Sequence, residues 1–219
     1  MFGAAKLEHH LAAVHRICSE ASFYVWHNIP KNASLEEVEL AKAQLPVRQP
    51  AHILPWLFVG DVHDAELLKM GKLKHCMIAA VLTLCPDTMN SQEGLSLAEG
   101  LAAHGFSHFQ IDARDSETYD LADAVQKALE FVRPFYDRKE PVLVHCFGGI
   151  NRAAAISVAL LMLLDRLPLC ISVRLVVTNR GKVLTRRQFR AQLVQLAGDE
   201  GLLGPMASLG VQSITPAFS

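Results

Sequence analysis

"PVLVHCFGGINRAAAISVALLML", residues 141–163, decides the fold. An apolar, β-branched run ends in Cys146, two glycines follow, and Arg152 opens a long apolar segment. "PVLVHC" reads as a short buried strand. Residues 152–165 read as a helix apolar almost all round, hence central to the core. A strand that passes to a helix through a short glycine-containing loop is a unit of an α/β sheet. Open sheets of this kind bind ligands at the carboxyl edge of their strands.

The loop carries chemistry as well as a turn. Gly148 and Gly149 can adopt backbone angles that other residues avoid, so successive N–H groups can face inward. A ring of N–H donors at a helix N-terminus is an anion site of phosphate size. Arg152 adds a two-pronged guanidinium. A nearby cation and a helix N-terminus both favour the thiolate, the nucleophilic form of cysteine. Cys146 is therefore expected to attack phosphorus and form a phosphocysteine. Phe147, Gly148, Gly149, Ile150 and Asn151 are expected to bind through their backbone, with their side chains tuning the rim.

Outward from this stretch the chain alternates between strands and helices. "HILPWLFVG" reads as one strand with a turn at Gly60-Asp61, and "DAELLKMGKL" as a short helix. "MIAAVLTLC" reads as a strand, "SLAEGLAAHG" as a helix, and "SHFQIDA" as a strand followed by the polar loop "RDSETYD". Leu121–Tyr136 has the stripe of an amphipathic helix, and further helices fit 169–177 and 185–196. The expected fold is a central, mostly parallel twisted sheet of four to five strands with helices on both faces.

Residues 1–50 read as an N-terminal helical extension, with one helix over 5–26 and a second opened by the capping box Ser34…Glu37. Residues 51–200 form the expected catalytic domain and 201–219 a loose tail. The extension is expected to pack on the domain, because Phe23, Tyr24, Val25 and Trp26 form a dense apolar cluster. A partner or dimer contact is the alternative role.

Composition narrows the classes further. Half of the 219 residues are apolar and the formal net charge is −1, which gives no case for a nucleic-acid or membrane-surface protein. The longest apolar stretches are too short to span a bilayer. Five cysteines, an odd number with no CxxC pair, and no signal peptide suit a reducing compartment, cytoplasmic or nuclear. His9, His10, His15 and His27 lack metal-ligand spacing, so no metal is expected, nor any other cofactor. Cys18, Cys76, Cys85 and Cys170 read as small buried apolar residues, one of them an open candidate to pair with an oxidised Cys146. His145, beside the nucleophile on a strand, reads as a hydrogen-bonder that fixes the loop rather than as a base.

Cys146 and Arg152 with five residues between them, after "VHC" on a strand, resemble the signature of cysteine-dependent protein phosphatases. The similarity is greatest to the compact dual-specificity branch. "ILPWLFVGDVHDA" resembles that branch's opening strand, "FQIDARDSETYDL" its acid loop, and "NRG…QFRAQLVQL" its closing helix. The resemblance covers roughly residues 52–197. It implies hydrolysis of phosphotyrosine and phosphoserine/threonine monoesters on phosphorylated proteins, with an aspartate upstream of the cysteine protonating the leaving oxygen. Asp115 is the first choice for that acid and Asp112 the second, while Asp120 suits a helix cap.

Two positions depart from the family pattern. Ala153 stands where most members carry Ser or Thr, which implies slowed hydrolysis of the phosphoenzyme; the phosphatases of regenerating liver share that Ala. "VLTRR" replaces a Pro-Asn before the last helix. Alternatives to a protein phosphatase are a phosphopeptide-binding pseudophosphatase, or a phosphatase acting on phosphoinositides or RNA 5′ phosphates. "FGGIN" lacks the basic residues common in lipid-directed members.

Overall fold

The computed structural model describes residues 4–20, 50–85 and 96–204. After helix α1 (Ala4–Glu20) come strands β1 (Ala51–Leu54) and β2 (Leu57–Gly60), then α2 (Val62–Lys69) and β3 (Ala80–Thr83). The chain continues through α3 (Leu97–Ala103), β4 (Ser107–Gln110), α4 (Ala122–Asp137) and β5 (Val142–His145). It closes with α5 (Arg152–Leu164), α6 (Leu169–Arg180) and α7 (Arg187–Asp199).

One five-stranded sheet has the order β1-β2-β5-β3-β4. Strands β2, β5, β3 and β4 run parallel, and β1 alone is antiparallel. "LFVG", "AVLT" and "VLVH" are buried throughout, as expected of central parallel strands covered on both faces. Edge strand β4 is half exposed. Side chains alternate between two cores. Leu57, Val59, Leu82, Val142 and Val144 meet α4–α7 and α1, whereas Phe58, Val81 and Leu143 meet α2 and α3. The expected sheet with helices on both faces is what forms. Helix α5 is buried along nearly its whole length beneath the sheet, which explains its lack of a polar face.

Two readings need correction. "HILPWLFVG" is a hairpin rather than one strand: β1 and β2 pair antiparallel through Leu54 and Leu57. Pro55 has no N–H to give a ladder and a fixed φ suited to a turn, so the strand breaks there. Residues 21–26, the second N-terminal helix and residues 205–219 lie outside the described residues. Cys76 is only half-buried, packed at the margin of the smaller core instead of within it. Cys18, Cys85 and Cys170 are buried as expected.

Helix α1 lies against α6 and α7. Ala13, Val14, Ile17 and Cys18 enter the main core, and Val14 is wholly buried. Full burial of one such aliphatic side chain contributes about 1.5–3 kcal/mol, so this helix is held as part of the domain's packing. No helix among the described residues is long and apolar enough to cross a membrane.

Candidate active site

Strand β5, the central strand, delivers Cys146 to the carboxyl edge of the sheet, and the loop 147–151 leads into α5. The carbonyls of this loop are tied outward one after another. Phe147 O accepts the Val62 N–H (3.2 Å) and Ile150 O accepts the Leu184 N–H (2.9 Å). Arg180 donates through Nε to Gly149 O (3.3 Å) and through Nη2 to Gly148 O (3.4 Å). Across a trans peptide the next N–H points opposite to the carbonyl. The N–H groups of Gly148, Gly149, Ile150 and Asn151 therefore face the cavity, a concave ring of donors.

Gly149 is required twice. Its φ is +64°, in the left-handed region, and an added Cβ would meet the Arg180 guanidinium and lie 2.6 Å from Gly60 O. Arg180 is itself held by Asp61 (Nη2–Oδ2 3.1 Å), and both side chains are buried. Asp61 also caps α2 through Oδ1, accepting from His63 N–H (3.0 Å) and Asp64 N–H (3.3 Å). One carboxylate thus joins the start of α2 to the back of the loop. Asp64 returns the contact by accepting the Asp61 N–H at 2.9 Å. Burial pushes the Asp64 carboxyl up to about 6.

A cavity of about 320 Å³ opens over the loop, lined by Asp115, Cys146, Arg152, Lys182 and Thr185 together with loop residues. Arg152 is 7% exposed and its Nη1 donates to Ala113 O at 3.0 Å. Its buried Nε finds no acceptor among the described residues. A buried donor left unpaired costs about 1–3 kcal/mol, which an anion oxygen would recover.

Asp115 and Asp112 are both exposed, but only Asp115 lines the cavity. Two groups aim the Asp115 carboxylate: Arg186 Nε at 3.0 Å and Asn151 Nδ2 at 3.2 and 3.3 Å. Asp120 accepts the Ala122 N–H at 2.9 Å at the start of α4, the capping role expected of it. His145 is buried and bonds through Nε2 to Thr83 Oγ1 at 2.7 Å, which also meets His108 Nε2 at 2.9 Å. Burial pushes the His145 imidazole down to about 4, against an opposing hydrogen bond with the Cys146 backbone. Cys85 borders the site next to Arg152, Cys146 and the Phe147 N–H, and burial pushes its thiol up to about 11.

Asn151 departs from expectation. Its side chain does not tune the rim but is 7% exposed and central. Oδ1 accepts from Thr185 N–H (2.8 Å), Thr185 Oγ1 (2.9 Å) and Arg186 N–H (3.3 Å). An Asn preceding a helix ordinarily caps it. Here it makes no cap hydrogen bond, so the first-turn donors of α5 remain available to an anion. Phe147 and Ile150 do place their side chains on the rim, 55% and 41% exposed. Asp61, Arg180, Lys182, Thr185 and Arg186 were not singled out from sequence. The capping position of Asp61 and the nearness of the others to the expected closing helix were the available signals.

Comparison with known proteins identifies the family. The family described as dual specificity phosphatase, catalytic domain, matches residues 57–198. The chain is 31% identical to dual specificity protein phosphatase 2 of Mus musculus over 147 residues, covering 67% of this chain and 42% of that protein. It is 30% identical to dual specificity protein phosphatase 4 of Homo sapiens over 149 residues, covering 67% of this chain and 34% of that protein. The chain thus spans well under half the length of these curated relatives. Among solved structures it resembles human DUSP28, with a TM-score of 0.58 at 21% identity over 70% of this chain and 97% of that one. DUSP15 matches with a TM-score of 0.59 at 19% identity over 74% of this chain and 96% of that one. The chain belongs to the dual-specificity phosphatase family of the cysteine-dependent phosphatases.

Proposed function

We propose that residues 51–200 form a catalytic unit that hydrolyses phosphotyrosine and phosphoserine/threonine monoesters on proteins through a phosphocysteine. The observation that carries this reading is the run of outward-tied carbonyls from Phe147 to Ile150, which turns the intervening donors toward Cys146 and Arg152. The donor ring and Arg152 hold the three non-bridging oxygens and stabilise charge spread over them in the transition state. The Cys146 thiolate attacks phosphorus in line with the leaving oxygen. As the P–O bond breaks, Asp115 gives its proton to that oxygen. The resulting Asp115 carboxylate takes a proton from water, which attacks the phosphocysteine; the S–P bond breaks, releasing inorganic phosphate and the thiolate.

The apolar rim of Phe147 and Ile150 suits an aryl ester, and the open mouth also admits an alkyl one. Helix α1 serves as a packed extension of the unit. The test is turnover of para-nitrophenyl phosphate by the wild type and by Cys146→Ser. Phosphate release that the variant lacks supports the enzyme over a phosphopeptide-binding pseudophosphatase. Release by neither protein, with phosphopeptide binding retained, supports the binder. Asp115→Ala should slow turnover while holding phosphoprotein in the pocket.

A further inference from the structure

Lys182 lines the cavity over the loop yet has no part in the chemistry just described. It is exposed and has no acceptor among the described residues. The neighbouring cations are engaged: Arg180 with Asp61, Arg186 with Asp115 and Glu117, and Arg152 with Ala113 O. The Lys182 backbone is nonetheless pinned on both sides. Arg180 grips Gly148 and Gly149, the Gly181 N–H donates to Val177 O (2.8 Å), and Leu184 N–H donates to Ile150 O (2.9 Å). Val183 and Leu184 are buried, at 1% and 0% exposure. The segment is therefore fixed to the phosphate loop itself, with one flexible cation turned to the mouth.

We propose that Lys182 forms a cationic subsite that selects phosphoprotein segments bearing a carboxylate next to the phosphorylated residue. This rests on the reading of the cavity as a phosphoresidue site. The neutralised acidic side of the mouth favours the same partner: Arg186 already occupies Asp115 and Glu117, so neither competes for Lys182. A substrate in extended conformation advances about 3.3 Å per residue, so a carboxylate one or two positions away lies within a lysine side chain's reach. An isolated lysine carries a point charge on a flexible stem, suited to a carboxylate at variable position rather than to one fixed geometry.

The experiment uses the full chain and three phosphotyrosine peptides with neutral, Asp or Lys flanks. The wild type is expected to prefer the Asp-flanked peptide over the neutral one by about threefold in kcat/KM, the size of an exposed ion pair. Lys182→Glu should reverse the order in favour of the Lys-flanked peptide, and added salt should flatten both preferences. An unchanged Asp-to-neutral ratio in Lys182→Glu overturns the subsite. A second phosphate on the peptide, compared with Asp at the same position, tells which anion is preferred. Preference for the doubly phosphorylated peptide alone overturns the carboxylate assignment. Turnover confined to a soluble phosphoinositide overturns it in favour of a lipid headgroup. Peptide binding to Cys146→Ser, measured by fluorescence anisotropy, reads the same preference without catalysis. If turnover is absent but the charge preference persists, the phosphatase reading fails and the subsite stands.

Discussion

Asn151 holds Asp115 with one end of its amide and Thr185 with the other: Nδ2 lies 3.2 Å from Asp115 Oδ1, and Oδ1 accepts the Thr185 N–H at 2.8 Å. One side chain thereby joins the loop after β5, the loop before α4 and the connection between α6 and α7. Asn151→Ala removes all of these contacts. It should lower kcat/KM by about tenfold or more, because the acid loses one of its two anchors, and destabilise the fold by about 1–3 kcal/mol. Asn151→Asp keeps the acceptor but sets a second carboxylate against Asp115. It should preserve more stability than Ala while still lowering kcat. Steady-state kinetics and thermal unfolding of the two variants check this.

The Asp61–Arg180 pair acts on the same loop from behind. Arg180→Met removes the buried cation that faces the Asp61 carboxylate, at a cost of about 3–5 kcal/mol. It also frees the carbonyls of Gly148 and Gly149, so the Ki for orthovanadate should rise about tenfold. A purely structural role would lower the folded fraction without moving that Ki. The double variant Asp61→Asn/Arg180→Met should be less destabilised than Arg180→Met alone. Gly149→Ala strains the backbone and drives a Cβ into both Arg180 and Gly60. It should cost about 100-fold or more in kcat.

Ala153 is wholly buried in the first turn of α5, where no hydroxyl can assist the departing thiolate. Ala153→Ser should raise steady-state turnover by about tenfold, the contribution of one hydrogen bond to a charged atom. The wild type should show a burst of product followed by a slower steady rate, and the variant should shrink the burst. A linear wild-type progress curve from the first turnover would contradict slow dephosphorylation.

Asp64 makes stability depend on pH. Its folded-state carboxyl is raised to about 6 by burial, so the folded state holds a proton that the unfolded chain releases near pH 4. Stability from this group is full below the unfolded value and falls as pH rises toward 6, by roughly 2–3 kcal/mol in all. His145 acts in the opposite sense: its depressed value of about 4 means that stability is lost as pH falls from 6.5 toward 4. Asp64→Asn keeps an acceptor for the Asp61 N–H and removes the buried charge. Relative to wild type its gain in stability should be larger at pH 8 than at pH 5, where roughly half of the effect is already present, read from urea unfolding at the two pH values. An equal difference at both pH values would refute the assignment.

The residues that make the site recognisable are local in sequence, which is why they were legible. Cys146, the glycines and Arg152 fall within one strand–loop–helix unit, and Asp115 precedes a helix with a clear apolar stripe. The sheet with helices on both faces followed from the same alternation. What escaped notice is held by distant pairs. Asp61 and Arg180 are 119 positions apart, and Asn151 reaches Thr185 34 positions away. No periodicity marks such contacts, because each depends on how two loops meet at the sheet edge. The β1–β2 hairpin was missed for a different reason: the apolar character of "HILPWLFVG" runs unbroken across Pro55, and only the absent proline N–H breaks the ladder.

Cys146 is expected to carry the phosphoryl group during turnover. Acid quenching during steady-state turnover, followed by mass spectrometry of the peptide containing Cys146, measures it directly. A phosphoryl adduct on Cys146 should accumulate in the wild type, diminish in Ala153→Ser and be absent from Cys146→Ser. Undiminished phosphate release by Cys146→Ser, with no adduct on the wild-type cysteine, would contradict it.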